Sequence, residues 1–427
     1  MTEPTKPDIS TSPDIRKQNF RNVQIDAVGV GLASAAAPFL PVLLARLNAS
    51  NFAVGLLTTM PAATGLVLAL VVGRFLQTRR NVVPWFSLSR LIVLSCYALT
   101  GLIPFFVHGK YVVPAILFVW AAATLPQTIV AVGFTVVMNA VAGPEGRYSL
   151  MSRRWFTLGL TGVLATAAID EVLKRWTKFP VNYQAIFLGL SLGGLISYYF
   201  SSHIRLPNTA PPQEFLETGK QTLRQGAGTY LRLMRGQPAF IAFVSKRTVY
   251  LFGAAFAVPL FPLYFVKVIN ASDDWIAKIN MAFTIGAMLG YVLWTRVSRR
   301  SGSRLVLLAA TLGMSLYPAL VASTGRVEII RAYALLAGIF QAGVDLVFFD
   351  ELMKTVPAEY SATFVALAHS LAYLSTIFGP IIATTVGGWI GMGGALVISA
   401  AIRLTGFGLF AWKGRMARDT ISAETGV

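Results

Sequence analysis

The chain has 427 residues, of which 55% are hydrophobic and only 13% charged, with a mean hydropathy of +0.64. A soluble domain carries about a quarter charged residues, so this chain cannot cover a water-facing surface and its solvent is mostly lipid. The net charge of +18 would suit a nucleic-acid binder, but the Lys and Arg residues fall in short stretches between apolar runs, which excludes that reading.

Residues 1–21 are polar and carry Pro breaks. They read as a disordered tail and not as a cleaved signal peptide, which would need an apolar core. Six apolar stretches of spanning length follow, at 23–47, 52–76, 85–107, 112–142, 155–173 and 183–200. The segment 201–238 holds Pro207, Pro211 and Pro212 and a helix-like piece at 214–234, and reads as a central linker. Six more stretches lie at 240–268, 276–294, 305–322, 329–352, 362–390 and 394–412, before a tail at 413–427. A backbone buried in lipid must satisfy its own hydrogen bonds, and the run 66–72 lacks the alternation of a barrel strand. The expected fold is therefore all-α and polytopic, with two six-helix bundles at 22–200 and 239–412.

The two sets repeat each other. Phe39-Leu40-Pro41 and Asn48-Ala49-Ser50 are echoed by Phe261-Pro262 and Asn270-Ala271-Ser272, at offsets of 262 − 41 = 221 and 270 − 48 = 222. The stretch from Gly143 to Arg147 is echoed by the stretch from Val356 to Tyr360. Internal repeats of this kind place a pseudo-symmetry axis between related halves of a membrane chain. The Asn-Ala-Ser echoes read as tight turns outside the membrane. With both termini cytoplasmic, roughly 24 Lys/Arg lie on cytoplasmic segments against roughly 8 outside, the bias that the positive-inside rule requires. Arg74, Arg79, Arg80 and Arg90 flank one basic connection, and Arg296, Arg299, Arg300 and Arg304 another. The basic face also suits anionic lipid headgroups.

This six-plus-six topology with a long central loop resembles the major facilitator superfamily (MFS) of secondary transporters, over nearly the whole chain. The family's loop signature after helix two is loosely matched by Gly73, Arg79 and Arg80, with Gln77 where the family has an acid. Its second copy matches at Gly290, Arg299 and Arg300, with Trp294 in the acid's place. Both copies of the charge lock thus lack their acid. The resemblance implies that helices one, four, seven and ten line a central cavity.

An ionisable side chain at membrane depth is costly and is a functional candidate by default. The candidates are Asp26, Lys246, Arg247, Asp345 and His369, with Gln127 and Gln341 as polar neighbours on the cavity helices. Gln341 lies one helical turn from Asp345 on the same face. The repeat offset carries Asp26 onto Arg247. A mechanism follows in which Asp26 and Asp345 pair with Lys246 or Arg247, and a proton or solute competes for those pairs. Plainer readings stand beside it. Asp26 is also an acid near a helix start, Lys246 and Arg247 are also interfacial anchors, and His369 also suits packing. Arg403 is read as snorkelling to water, and Asp350-Glu351 as a solvated helix end.

Walker loops, HExxH helices and Gly-x-Ser-x-Gly elbows are absent, so no enzyme activity or cofactor is expected. One cysteine, Cys96, and the spread of His108, His203 and His369 give no metal set. The expectation is a monomeric secondary transporter of a small solute, with the proton as a candidate coupling ion, in a plasma or inner membrane among lipids. The alternatives are a non-transporting scaffold with the same fold, or a translocator of lipids or amphiphiles.

Overall fold

The computed structural model describes residues 13–49, 51–176, 178–206, 236–271 and 273–412. The tails 1–12 and 413–427, linker residues 207–235, and Ser50 and Ser272 of the Asn-Ala-Ser echoes lie outside them. The regular structure of the described residues is helical. In chain order the helices are α1 (Pro13–Ser34), α2 (Phe39–Arg46), α3 (Asn51–Gln77), α4 (Val83–Phe106), α5 (Val112–Arg175), α6 (Val181–Ser202), α7 (Pro238–Ala257), α8 (Leu260–Lys267), α9 (Asp273–Ala322), α10 (Val327–Thr355), α11 (Ser361–Ile390) and α12 (Met392–Ala411).

Ten helical runs among the described residues are long and apolar enough to cross a membrane. Two of them are far too long for one crossing: the 64 residues of α5 would extend about 96 Å at 1.5 Å each, against a hydrocarbon core of about 30 Å. Both break at a glycine. Gly143 in α5 has φ 63° and ψ 174°, and Gly302 in α9 has φ 79° and ψ 163°, backbone angles that a Cβ would strain. Each of these two runs therefore consists of two arms. The lipid faces of the helices keep large apolar side chains exposed, as at Phe106, Phe118 and Trp389.

The repeat is written in the backbone. The first and seventh spans are each interrupted, between α1 and α2 and between α7 and α8. Pro38 and Pro259 sit in the breaks, and Pro41 and Pro262 are each the third residue of the short helix that follows. A first-turn proline costs nothing, because the amide it lacks would have had no partner. Each short helix is closed by an asparagine in the left-handed region, Asn48 at φ 59° and Asn270 at φ 55°. The next residue turns its amide back into the helix, Ala49 to the Leu44 carbonyl and Ala271 to the Phe265 carbonyl, both at 2.9 Å.

The chain forms two compact units, 1–236 with 353–377, and 237–352 with 378–427. The segment 353–377 thus groups with the first unit and not with the remainder of the second repeat. Within the first unit, α1 and α4 each pack against α5 and α6, and α3 packs on α5. Leu94, Tyr97, Trp120 and Phe187 form part of its core. A Cβ on Gly29 of α1 would fall 2.5 Å from the Gly193 carbonyl oxygen and the Ser197 amide of α6, so the two backbones touch there. Helix α1 also starts earlier than expected, at Pro13. Its polar first turns bind the end of α6. Asn19 donates to the Arg205 carbonyl and accepts the Arg205 amide, while Asn22 donates to the His203 carbonyl. Those bonds satisfy backbone groups that the helix end leaves over. In the second unit α12 packs on α7 and α9. Phe348 of α10 lies against Phe243 and Tyr250 of α7 and Phe410 of α12.

Candidate functional site

The first unit buries a charged cluster. Asp26 of α1 is fully buried, and Arg90 of α4 donates to both its oxygens at 2.6 Å. Ser197 of α6 donates at 2.7 Å, and Arg154 of the second α5 arm stands 3.6 Å away. The close approach of Gly29 to α6 brings Ser197 within reach of Asp26, one turn from that contact. The cluster holds two guanidinium groups and one carboxylate. Aromatic faces take up part of the excess: Arg90 lies 4.1 Å from the Phe86 ring centre and Arg154 lies 4.6 Å from that of Phe134. Asp26 is therefore not a free acid at a helix start. Its carboxylate is committed to partners in its own unit, because desolvation at that depth rewards a charge-assisted bond, here from the single Arg90 Nη1 to both oxygens.

In the second unit, Asp345 of α10 accepts from Gln341 Nε2 at 2.8 Å and from the Tyr291 hydroxyl of α9 at 3.0 Å. The one-turn spacing of Gln341 and Asp345 thus becomes a bond. Among the described residues Asp345 is in no ion pair, with Lys246, Arg247 or any other cation. Lys246 and Arg247 are half-buried on α7. The Arg247 guanidinium lies 5.8 Å from the Phe348 ring centre, and its Nε is buried with no acceptor.

Other candidates fall elsewhere. Gln127 is half-buried on the first arm of α5. Nε2 of His369 is 3.5 Å from the Thr135 hydroxyl, and its ring lies 6.3 Å from that of Tyr373, all within the first unit. In the loop signature, Gly73 faces Ala366 of α11, so close that a Cβ would clash. Gln77, in place of the acid, donates to the Glu359 carbonyl and accepts the Ala362 amide at 3.2 Å. It thereby holds the start of α11 without a charge. Arg79 lies over the Phe75 and Trp85 rings at 4.4 and 4.9 Å, and Arg80 is exposed. In the second copy Gly290 packs on Ile339 and Ala342, Trp294 donates to the Ile339 carbonyl at 2.7 Å, and Arg299 and Arg300 are exposed.

Two further expectations are overturned. Arg403 does not snorkel: it is 3% exposed and donates to the carbonyls of Met314 and Ala254. Asp350 is not solvated: it is 3% exposed, while Glu351 accepts from Ser303. For Arg403 and Glu351, neighbouring helices supply polar partners that a span-end reading assigns to water. Sequence reasoning also missed Arg90, Arg154, Ser197 and Tyr291. Arg90 carried a signal, since it lies one turn after Phe86 inside an apolar run.

A family model described as MFS/sugar transport protein matches residues 84–362. No curated protein matches the chain significantly. Among solved structures, the human organic anion transporter MFSD10 (TETRAN) superposes with a TM-score of 0.73 at 14% identity, covering 94% of this chain and 100% of that one. The proton:xylose symporter XylE gives 0.69 at 14% identity, covering 94% and 96%. The E. coli fucose:proton symporter FucP gives 0.69 at 12% identity, covering 94% and 98%. At such identities these likenesses establish a shared fold.

Proposed function

We propose, for a chain that belongs to the MFS/sugar transport protein family, that it moves a small solute across the membrane by alternating access, with Asp345 at the coupling site. The protein is a transporter by family. The observation that carries the finer reading is the Asp345 carboxylate, held at membrane depth by two neutral donors and, among the described residues, in no ion pair. An acid kept in place but not neutralised is free to bind a proton or a cationic or hydroxyl group of a solute, and a ligand with unequal affinity for two conformations shifts their balance. Lys246, Arg247 and Gln341 belong to the same proposed site. Gln127 and His369 are its weaker members, and Asp26 is assigned to holding the first unit together. The chain acts as a monomer with both termini cytoplasmic, in keeping with the positive-inside bias.

The test is solute counterflow in proteoliposomes, with and without an imposed pH gradient. Uptake above protein-free vesicles supports transport, and stimulation by the gradient that is lost in Asp345→Asn supports proton coupling. Gradient-independent uptake would remove the proton from the scheme.

A further inference from the structure

We infer that the solute is amphoteric: a short molecule with a cationic group for Asp345 and an anionic group for Arg247. This rests on the transport reading above and adds the chemical class of the substrate.

Two opposite charges lie in the second unit without counter-ions. Asp345 is bonded only by Gln341 and Tyr291, both neutral. Arg247 has its Nε buried with no acceptor and an aromatic ring against its guanidinium. Among the described residues neither takes part in an ion pair. Each unmatched charge is costly at membrane depth, and opposite charges in a low dielectric attract strongly. These two lie on helices that meet, since Phe348 of α10 has its ring 5.4 Å from Tyr250 and 6.2 Å from Phe243 of α7.

Phe348 is also what keeps them apart. It follows Asp345 by three positions, a spacing that puts both on one face of α10. It presents a ring, not a carboxylate, to Arg247. A cation alone would leave Arg247 unanswered, and an anion alone would leave Asp345 so. A neutral polyol would match neither charge. A solute with both groups a few bonds apart answers both. Carrying no net charge, it also crosses without work against the membrane potential.

The experiment is binding to the purified full-length chain in detergent, by titration calorimetry. The probes are glycine betaine, γ-aminobutyrate, choline, acetate and glucose. At least one of the two amphoteric probes is expected to bind tenfold or more tightly than choline, acetate and glucose. Asp345→Asn and Arg247→Gln are each expected to weaken it tenfold or more. A second variant, Phe348→Ala, keeps both charges and removes the separator. It lets them pair internally, and so is also expected to weaken amphoteric binding tenfold, even if Asp345→Asn yields no folded protein. Failure of both amphoteric probes to bind, or glucose binding that ignores all three substitutions, would overturn the inference and leave transport standing. Absence of any counterflow activity would instead strike the transport reading.

Discussion

Arg403 donates to the main-chain carbonyl of Met314 at 3.2 Å, and Met314 is the residue whose carbonyl Pro318 leaves without an amide partner. A proline has no N–H for the carbonyl four residues before it. The same guanidinium reaches the Ala254 carbonyl at 3.4 Å. That carbonyl is released where α7 breaks, because the Val258 amide bonds to Ala255 instead, ahead of Pro259. One arginine on α12 thus ties off a carbonyl freed by a proline on α9 and a carbonyl freed by the break of α7, and explains a cation so deep in a span. Arg403→Leu should leave both carbonyls unsatisfied and lower stability by about 2–4 kcal/mol. Thermal unfolding in detergent should show a Tm several degrees lower. An unchanged Tm would mean that the prolines, not Arg403, settle the geometry.

Asp26 and Asp345 should respond differently to the same substitution. Asp26→Asn leaves two buried guanidinium groups facing each other, and breaking a buried pair from one side costs about 3–5 kcal/mol. It should reduce folded yield in size-exclusion chromatography. Replacing Asp26 and Arg90 together by apolar residues should recover part of that loss, because the orphaned charge goes too. If Asp26→Asn folds normally, the cluster is not what holds α1, α4, α5 and α6 together.

Gln77 predicts a local effect. Gln77→Leu removes both bonds to the start of α11, each worth about 0.5–1.5 kcal/mol. Hydrogen exchange of the amides at 361–364 should accelerate severalfold. Gln77→Asp, the family's residue type, should restore slow exchange, because a carboxylate both accepts the Ala362 amide and complements a helix N-terminus. Equal exchange in all three proteins would show that the glutamine contributes nothing to the latch.

The spans were legible because the bilayer sets a length and penalises charge within it. The helix breaks were legible in part: Pro41 and Pro262, Asn48 and Asn270 repeat at offsets of 221 and 222 and take the same backbone roles. Gln341 and Asp345 were legible as a pair because helical spacing alone brings them together. The partners of Arg90, Arg403 and Gln77 were not. They lie 64, 89 and 282 residues away along the chain, and only packing brings them close. A linear reading sends an arginine near a span end to water, whereas carbonyls and carboxylates on neighbouring helices compete for it and win when they are already desolvated.

The most direct measurement is counterflow uptake in proteoliposomes by the wild-type chain and by Asp345→Asn, at matched amounts of folded protein. Transport with Asp345 at the coupling site predicts wild-type uptake above protein-free vesicles and a loss of at least tenfold in the variant. Equal uptake by the two proteins would contradict the role given to Asp345.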